Sequence, residues 1–344
     1  NYTNAESSAA SDVYKRQPEA QPAPLAVLSQ SGAFAVARAS KLSRLNPKYV
    51  VTFGNQIDLT LGDYLHYLKD DPEIAVFACY VEGFRALDGE RFLEASREIV
   101  ASGRTVVLYR AGRTRAGASA AASHTASVAG SYTATRQLAR RAGVQVAESI
   151  EDFEDLVRTF CLLEGRAPAG RRLGALSNAG FESVAMGDNL GALDLAELTA
   201  ETREGLEEVL RAHRLETIVG VRNPVDVTPI AGDEGFARAA RLVIEDPGVD
   251  LGVIGCVPLT GALQTVARAD DHAENVAAED AVAARLVEIW NESDKPWVAV
   301  VDSGELFDSL ARILEESGIP AFRSADRALA ALNTWTAARL AASE

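Results

Sequence analysis

The sequence predicts an α/β protein built as two consecutive doubly wound parallel-sheet domains, and three observations carry that reading. From Leu25 onward, short apolar runs alternate with longer amphipathic segments, the signature of repeated βαβ units. A Gly/Pro/Arg stretch, GRAPAGRR over 165–172, interrupts the alternation at mid-chain. The stretches on either side echo each other, AVLSQSGAFAVA from Ala26 matching GALSNAGFESVA from Gly174. The expected domains are 25–167 and 168–344, with a boundary near residue 168, after a lead-in over 1–24.

Taken in order, the lead-in is rich in Ser, Ala, Gln and Pro without apolar periodicity, which predicts disorder. Its segment SSAASDVYKRQ, Ser7 to Gln17, resembles a translated sequencing-adapter artefact, in which case the true upstream region is missing. Strands are expected at Leu25–Ser29, Tyr49–Phe53, Ile74–Tyr80, Thr105–Tyr109 and Val144–Ala147, each a compact apolar run between turn residues. Helical segments separate them, and a last helix over 150–163 closes the first series. In the second series strands fall near Leu173–Ser177, Asp250–Val257, Trp297–Val301 and Ile319–Phe322. Helices are expected over 183–190, 204–212, 234–244, 280–291, 305–317 and 325–341.

Composition narrows the function. A net charge of -15, from 49 acidic against 34 basic residues, opposes attraction to nucleic acid or anionic lipid, so an anionic substrate needs a local site. No apolar run reaches the roughly 20 residues of a membrane span and no signal pattern opens the chain, which predicts a cytoplasmic protein. Cys79, Cys161 and Cys256 are scattered in apolar surroundings, which indicates neither disulfides nor a metal site.

The echo sets Ser29, Gln30 and Gly32 opposite Ser177, Asn178 and Gly180. Each copy reads as a strand, a polar turn and a helix start, where free N–H groups and the positive helix end meet beyond the strand's carboxyl end. Two such starts, Ser29–Ala33 (Ser29, Gln30, Ser31, Gly32, Ala33) and Asn178–Gly180 (Asn178, Ala179, Gly180), are candidates to clamp one phosphate, although strand-turn-helix joints with Gly and Ser occur in any α/β domain. Of the four histidines, His66 lies on a helix, and His213 and His272 fall among charged residues. His124 stands apart in AASHTASVAGS, a run of small residues preceded by Arg104, Arg110, Arg113 and Arg115, a place where negative charge is handled. Taken alone, a lone histidine in a loop is more often structural than catalytic.

GRTRAGASAAASHTASVAGS closely resembles the histidine loop of the NDP-forming acyl-CoA synthetases, which include ADP-forming acetate–CoA ligases and are relatives of succinyl-CoA synthetase. Further pieces follow in the family's order: LSQSGAFA, FGNQIDLTLGDYLHYLKDDP, YVEGF, LSNAGFE, NPVDVTP and FRSADRALAAL. The similarity runs over about 25–340. The resemblance implies two flavodoxin-like, succinyl-CoA synthetase-like domains in which a phosphoryl group passes through a histidine to an ATP-grasp domain. It implies His124 as the phosphorylated nucleophile and Glu82 as the carboxylate on its other ring nitrogen. The two turns would then supply phosphate donors, with Arg110 and Arg113 as supporting basic residues. CoA and ATP or ADP with Mg²⁺ would be substrates of the complete enzyme, with a small carboxylic acid or acyl phosphate. No GxGxxG follows a strand near the start and no GxxxxGK[ST] occurs, so the CoA-binding domain and the ATP-grasp domain or subunit are expected as partners elsewhere.

Two departures qualify the likeness. Ala126 stands where the family usually has Gly, and Phe181 and Glu182 stand where many relatives continue with glycine, Glu182 bringing a carboxylate near the expected phosphate. One alternative is a non-catalytic module that senses CoA or acyl-CoA, as in synthetase-like regions of regulatory acetyltransferases. Another is a serine hydrolase presenting Ser31, but its elbow needs GxSxG and position 29 is serine.

Overall fold

A computed structural model describes residues 22–42, 44–125, 130–215, 219–258 and 260–342, the side chains of 122–125 excepted. The expected lead-in up to residue 21 and the Ala126 departure lie outside the described residues. The chain divides into two compact units, Asn1–Cys161 and Leu162–Glu344.

The first unit runs β1 (Ala23–Ser29), α1 (Gly32–Lys41), β2 (Pro47–Thr52), α2 (Leu61–Leu68), β3 (Val76–Val81), α3 (Asp88–Ala101), β4 (Thr105–Arg110), α4 (Arg115–Thr125), α5 (Tyr132–Arg141), β5 (Gln145–Val146) and α6 (Ile150–Leu162). All strand pairs are parallel, in the order β2-β1-β3-β4-β5. Helices cover both faces, so Leu25, Ala26, Val27 and Leu28 are all buried in one unbroken run rather than in alternation. Strand β1 starts at Ala23, within the expected lead-in, because the Ala23 N–H reaches the Asn46 carbonyl at 2.7 Å and extends the sheet.

The second unit runs β6 (Arg172–Ser177), α7 (Gly180–Asp188), β7 (Asp194–Leu195), α8 (Ala200–Ala212), β8 (Val225–Asp226), α9 (Asp233–Glu245), β9 (Leu251–Cys256), α10 (Val282–Glu292), β10 (Trp297–Val301), a 3-10 turn (Glu305–Phe307), α11 (Asp308–Glu316), β11 (Ala321–Phe322) and α12 (Ala325–Ala341). Its parallel sheet is ordered β11-β10-β9-β6, with β7 and β8 on the free edge of β6. Strand β7 pairs with Arg172 and Leu173 at the start of β6, and β8 with Leu176 and Ser177 at its end. These two-residue strands are too short for alternation to register in sequence. Asn223 bridges the gap they leave: its side-chain carbonyl accepts from the Ala175 N–H at 2.9 Å, and its amide donates to the carbonyls of Leu173 and Ala196 at 2.7 and 3.0 Å.

With β7 and β8 taken together as one edge position, both units have the 2-1-3-4-5 order in which the chain winds outward on both sides of its first strand. In such sheets ligands sit beyond the carboxyl ends of the two strands where winding reverses. Those pairs are β1/β3 and β6/β9, and each polar turn of the sequence echo leaves the first strand of its pair.

Candidate functional site

In the first turn the side chains mostly serve the backbone. Ser29 Oγ donates to the Ser31 carbonyl at 2.8 Å and accepts the Ser31 N–H at 3.2 Å. Ser31 Oγ accepts the Phe34 N–H at 3.2 Å, the duty of an N-cap, so the hydroxyl that a hydrolase would need is engaged in starting α1. Gln30 is buried and spans the β1/β3 crevice, its Oε1 accepting the Glu82 N–H at 2.8 Å while its own N–H reaches the Tyr80 carbonyl at 3.0 Å. Its Nε2 is buried without an acceptor among the described residues. The N–H groups of Gly32 and Ala33 likewise have none, and space over Gly32 is open.

Glu82 follows β3 and is 8% exposed, with Oε1 accepting the Tyr80 hydroxyl at 3.1 Å. Burial first, and the Glu82 charge second, push the Tyr80 hydroxyl above its ordinary range, so it remains a donor. The loop carrying Glu82 is tied to the loop after β2: Gln56 Nε2 donates to the Gly83 carbonyl at 2.8 Å and Arg85 Nη2 to the Asn55 carbonyl at 2.7 Å. The conspicuous FGNQ segment therefore holds the Glu82 loop in place.

His124 lies in the last turn of α4, not in a loop, because RAGASAAASHT is alanine-rich and alanine favours helix. Its side chain lies outside the described residues. Helix α4 follows β4, the sheet neighbour of β3, so it leaves the same sheet edge as Glu82.

The expected arginine cluster separates. Arg104 precedes β4, where its guanidinium donates to the carbonyls of Lys69 and Asp71 at 2.5 and 3.2 Å. Arg110 ends the same strand, roughly 20 Å away at ~3.3 Å per residue, and is 3% exposed. Arg113 and Arg115 are exposed. Adjacency in sequence meant opposite sheet edges once β4 formed. His213, among charged residues in the sequence, is half-buried and packs over Gly235, where an added Cβ would overlap its ring.

The second turn repeats the first with different chemistry. Ser177 Oγ accepts the Ala179 N–H at 3.0 Å, as Ser29 does for Ser31. Asn178, the counterpart of Gln30, spans β6/β9 with both amide ends, donating to the Val257 carbonyl at 3.0 Å and accepting its N–H at 2.8 Å. The N–H groups of Gly180 and Phe181 have no acceptor among the described residues. A carboxylate lies beside them, however: a Cβ on Gly180 would be 3.3 Å from Asp226 Oδ2. A negative group suits a helix start, and Asp226 brings one beside the turn that the sequence offers to phosphate. Sequence reasoning missed it, because Asp226 ends β8, a two-residue strand too short to be read from NPVDVTP.

Glu182 does not face solvent. It is fully buried, with Oε2 accepting the Ser177 hydroxyl at 2.6 Å and Oε1 unpartnered among the described residues. Burial, helped by the Asp302 charge and opposed by the Ser177 hydrogen bond, pushes its carboxyl up to about 7.

A family model described as the succinyl-CoA ligase like flavodoxin domain matches residues 22–160. The Acetate--CoA ligase [ADP-forming] II subunit alpha of Pyrococcus furiosus is 32% identical over 89% of this chain and 63% of its own length. The chain is similar to ADP-forming acetate–CoA ligases over most of its length. A further relative, Acetate--CoA ligase [ADP-forming] I of Archaeoglobus fulgidus, is 34% identical over 90% of this chain and 41% of its own. A solved structure, the Ca. Korarchaeum cryptofilum dinucleotide forming acetyl-coenzyme A synthetase 1 in complex with phosphate and ADP, aligns with a TM-score of 0.78 at 25% identity, over 94% of this chain and 67% of its own. The chain thus spans about two-fifths to two-thirds of these synthetases. Among the described residues, no helix is long and apolar enough to cross a membrane, and no group of His, Cys, Asp and Glu could hold a metal ion.

Proposed function

We propose that this chain is the phosphohistidine-carrying part of an NDP-forming acyl-CoA synthetase, interconverting acyl-CoA, NDP and phosphate with carboxylic acid, CoA and NTP. The observation that carries the reading is the crevice where Gln30 bridges β1 and β3. There a buried carboxylate, Glu82, sits beside a helix start whose Gly32 and Ala33 N–H groups are free. Similarity to ADP-forming acetate–CoA ligases supports the reaction class.

In this reading a nitrogen of neutral His124 attacks the phosphorus of an acyl phosphate. The N–P bond forms as the P–O bond to the acyl group breaks, and the acid leaves as a carboxylate. Glu82 accepts the N–H of the other ring nitrogen, fixing the tautomer and balancing the positive charge that builds on the ring. Gln30 Nε2 and the N–H groups of Gly32 and Ala33 donate to the phosphate oxygens, as phosphoryl transfer depends chiefly on positioning and charge stabilisation. Ser29 and Ser31 shape the first turn, Asn178, Ala179 and Gly180 the second, and Arg113 adds positive charge from the surface. CoA, nucleotide and Mg²⁺ are bound with the help of a CoA-binding domain and an ATP-grasp domain or subunit. Mg²⁺ would neutralise nucleotide phosphates there.

Incubation with acetyl phosphate, and separately with an ATP-grasp subunit of the family and radiolabelled ATP, should give acid-labile, base-stable phosphate on the protein. His124→Ala should abolish it and Glu82→Gln should reduce it by about two orders of magnitude or more, the usual scale for a positioned acid–base partner. No labelling with a partner shown to be competent on another family member would sink the reading. Asp226 and Glu182 beside the second turn favour one alternative, a module that binds CoA or acyl-CoA without turnover. CoA binding that persists in a chain that never takes up label would select it.

A further inference from the structure

A cavity of about 340 Å³ opens in the first unit between the loop after β3, the start of α3 and helix α5. That is the lower end of the roughly 300–1,000 Å³ usual for small-molecule pockets. Its wall is mostly hydrocarbon, with Phe84, Phe92, Leu93 and Leu138. Leu87 at the mouth is 69% exposed and has φ of 66°, a backbone conformation that a leucine rarely adopts. Such an outlier on a cavity rim, with its apolar side chain in water, is the kind of cost that functional sites carry.

The cavity also carries a charge. Arg110 lines it, 3% exposed, with Nη1 donating to the Ala111 carbonyl and Nη2 to the Gly130 carbonyl at 2.9 Å. Those bonds use two of the five N–H donors of a guanidinium. Its Nε has no acceptor, and no carboxylate pairs with it among the described residues. Buried cations are ordinarily paired, because dehydrating an unpaired one is costly. Desolvation accordingly draws its pKa below the ordinary arginine value. Arg85 and Glu90, the other charged lining residues, cancel in sign and leave the cavity with one positive charge in excess.

We propose that this cavity binds an organic carboxylate, with its apolar body against Phe84, Leu93 and Leu138 and its carboxylate on Arg110. Inorganic phosphate would satisfy the guanidinium but leave the hydrocarbon wall wet, whereas a neutral apolar molecule would leave the charge bare. The phosphohistidine reading enters only in making this ligand the acid that the synthetase activates.

Binding can be measured on the purified chain by calorimetry and ligand-observed NMR, with phenylacetate as probe and 2-phenylethanol as its uncharged counterpart. Phenylacetate should bind at least about tenfold more tightly, the scale of one charge-assisted hydrogen bond. Arg110→Met should bring the two ligands level. Ala134→Trp, at an exposed lining position of α5 where folding is little affected, should weaken phenylacetate by a similar factor by filling the space. Equal affinity for the two ligands, indifference to Ala134→Trp, or displacement of phenylacetate by an equal concentration of phosphate would each overturn the proposal. Labelling of His124 on the same preparations separates the two ideas. Label without phenylacetate binding removes the cavity proposal alone, whereas binding without label upholds it and removes the phosphohistidine reading.

Discussion

Glu182 is a carboxyl group placed where water does not reach, and its proton is therefore coupled to folding. Its pKa is raised from 4.5 to about 7 in the folded chain. The folded state holds this proton over a range where the unfolded state has released it, so the stabilisation is complete below about 4.5 and is lost as pH rises through about 7. The whole difference amounts to about 3 kcal/mol at ~1.4 kcal/mol per pKa unit. Thermal melting between about pH 5 and pH 8 should show stability falling as pH rises, with a smaller fall in Glu182→Gln. Equal slopes for the two proteins would assign the pH dependence to other groups. Gly255 is the other half of this site. A methyl group there would overlap the Glu182 carboxylate and come within 2.7 Å of Met186 Cε, so Gly255→Ala should cost about 1–3 kcal/mol in urea denaturation. Sequence located Ser29, Gln30, Ser177 and Asn178 at their turns, but not their duties. Spacing indicates where a side chain starts, whereas bonds from Gln30 to Glu82 and from Asn178 to Val257 depend on which strand becomes the neighbour.

Long apolar elements were the legible part of the fold. Strand β10 and helix α12 occur with the limits expected, Trp297–Val301 and Ala325–Ala341, because both are long enough for pattern and turn signals to agree. Strands β7 and β8 were not legible, since two residues have no period. Between them the edge of β6 depends on one side chain, Asn223, which makes three hydrogen bonds to backbone groups. Asn223→Ala should therefore destabilise the chain by about 3 kcal/mol, about 1 kcal/mol for each bond lost. Hydrogen exchange at the Ala175 amide would check the cause, rising far more than at Val253 on the neighbouring, fully paired strand. An unchanged Ala175 amide would mean that the edge closes without the asparagine.

At the scale of the whole molecule, the net charge of -15 repels the anions that the proposed chemistry requires. Labelling by acetyl phosphate should speed up as salt is raised from about 20 to 200 mM, because screening weakens that repulsion. A fall in rate would mean that nearby cations such as Arg113 dominate the field at the crevice. The crevice itself has a property that charge does not govern. In both units a side-chain amide crosses from the first strand's exit to the next strand's exit, Gln30 in one and Asn178 in the other. Each works as a crossbar across the mouth of a slot. A guest can rest on the bar, but the bar closes the route down between the strands. The depth of each seat is thus set by the chain, and in the first unit a shift of the Gln30 turn would drag the backbone of Glu82 along with it.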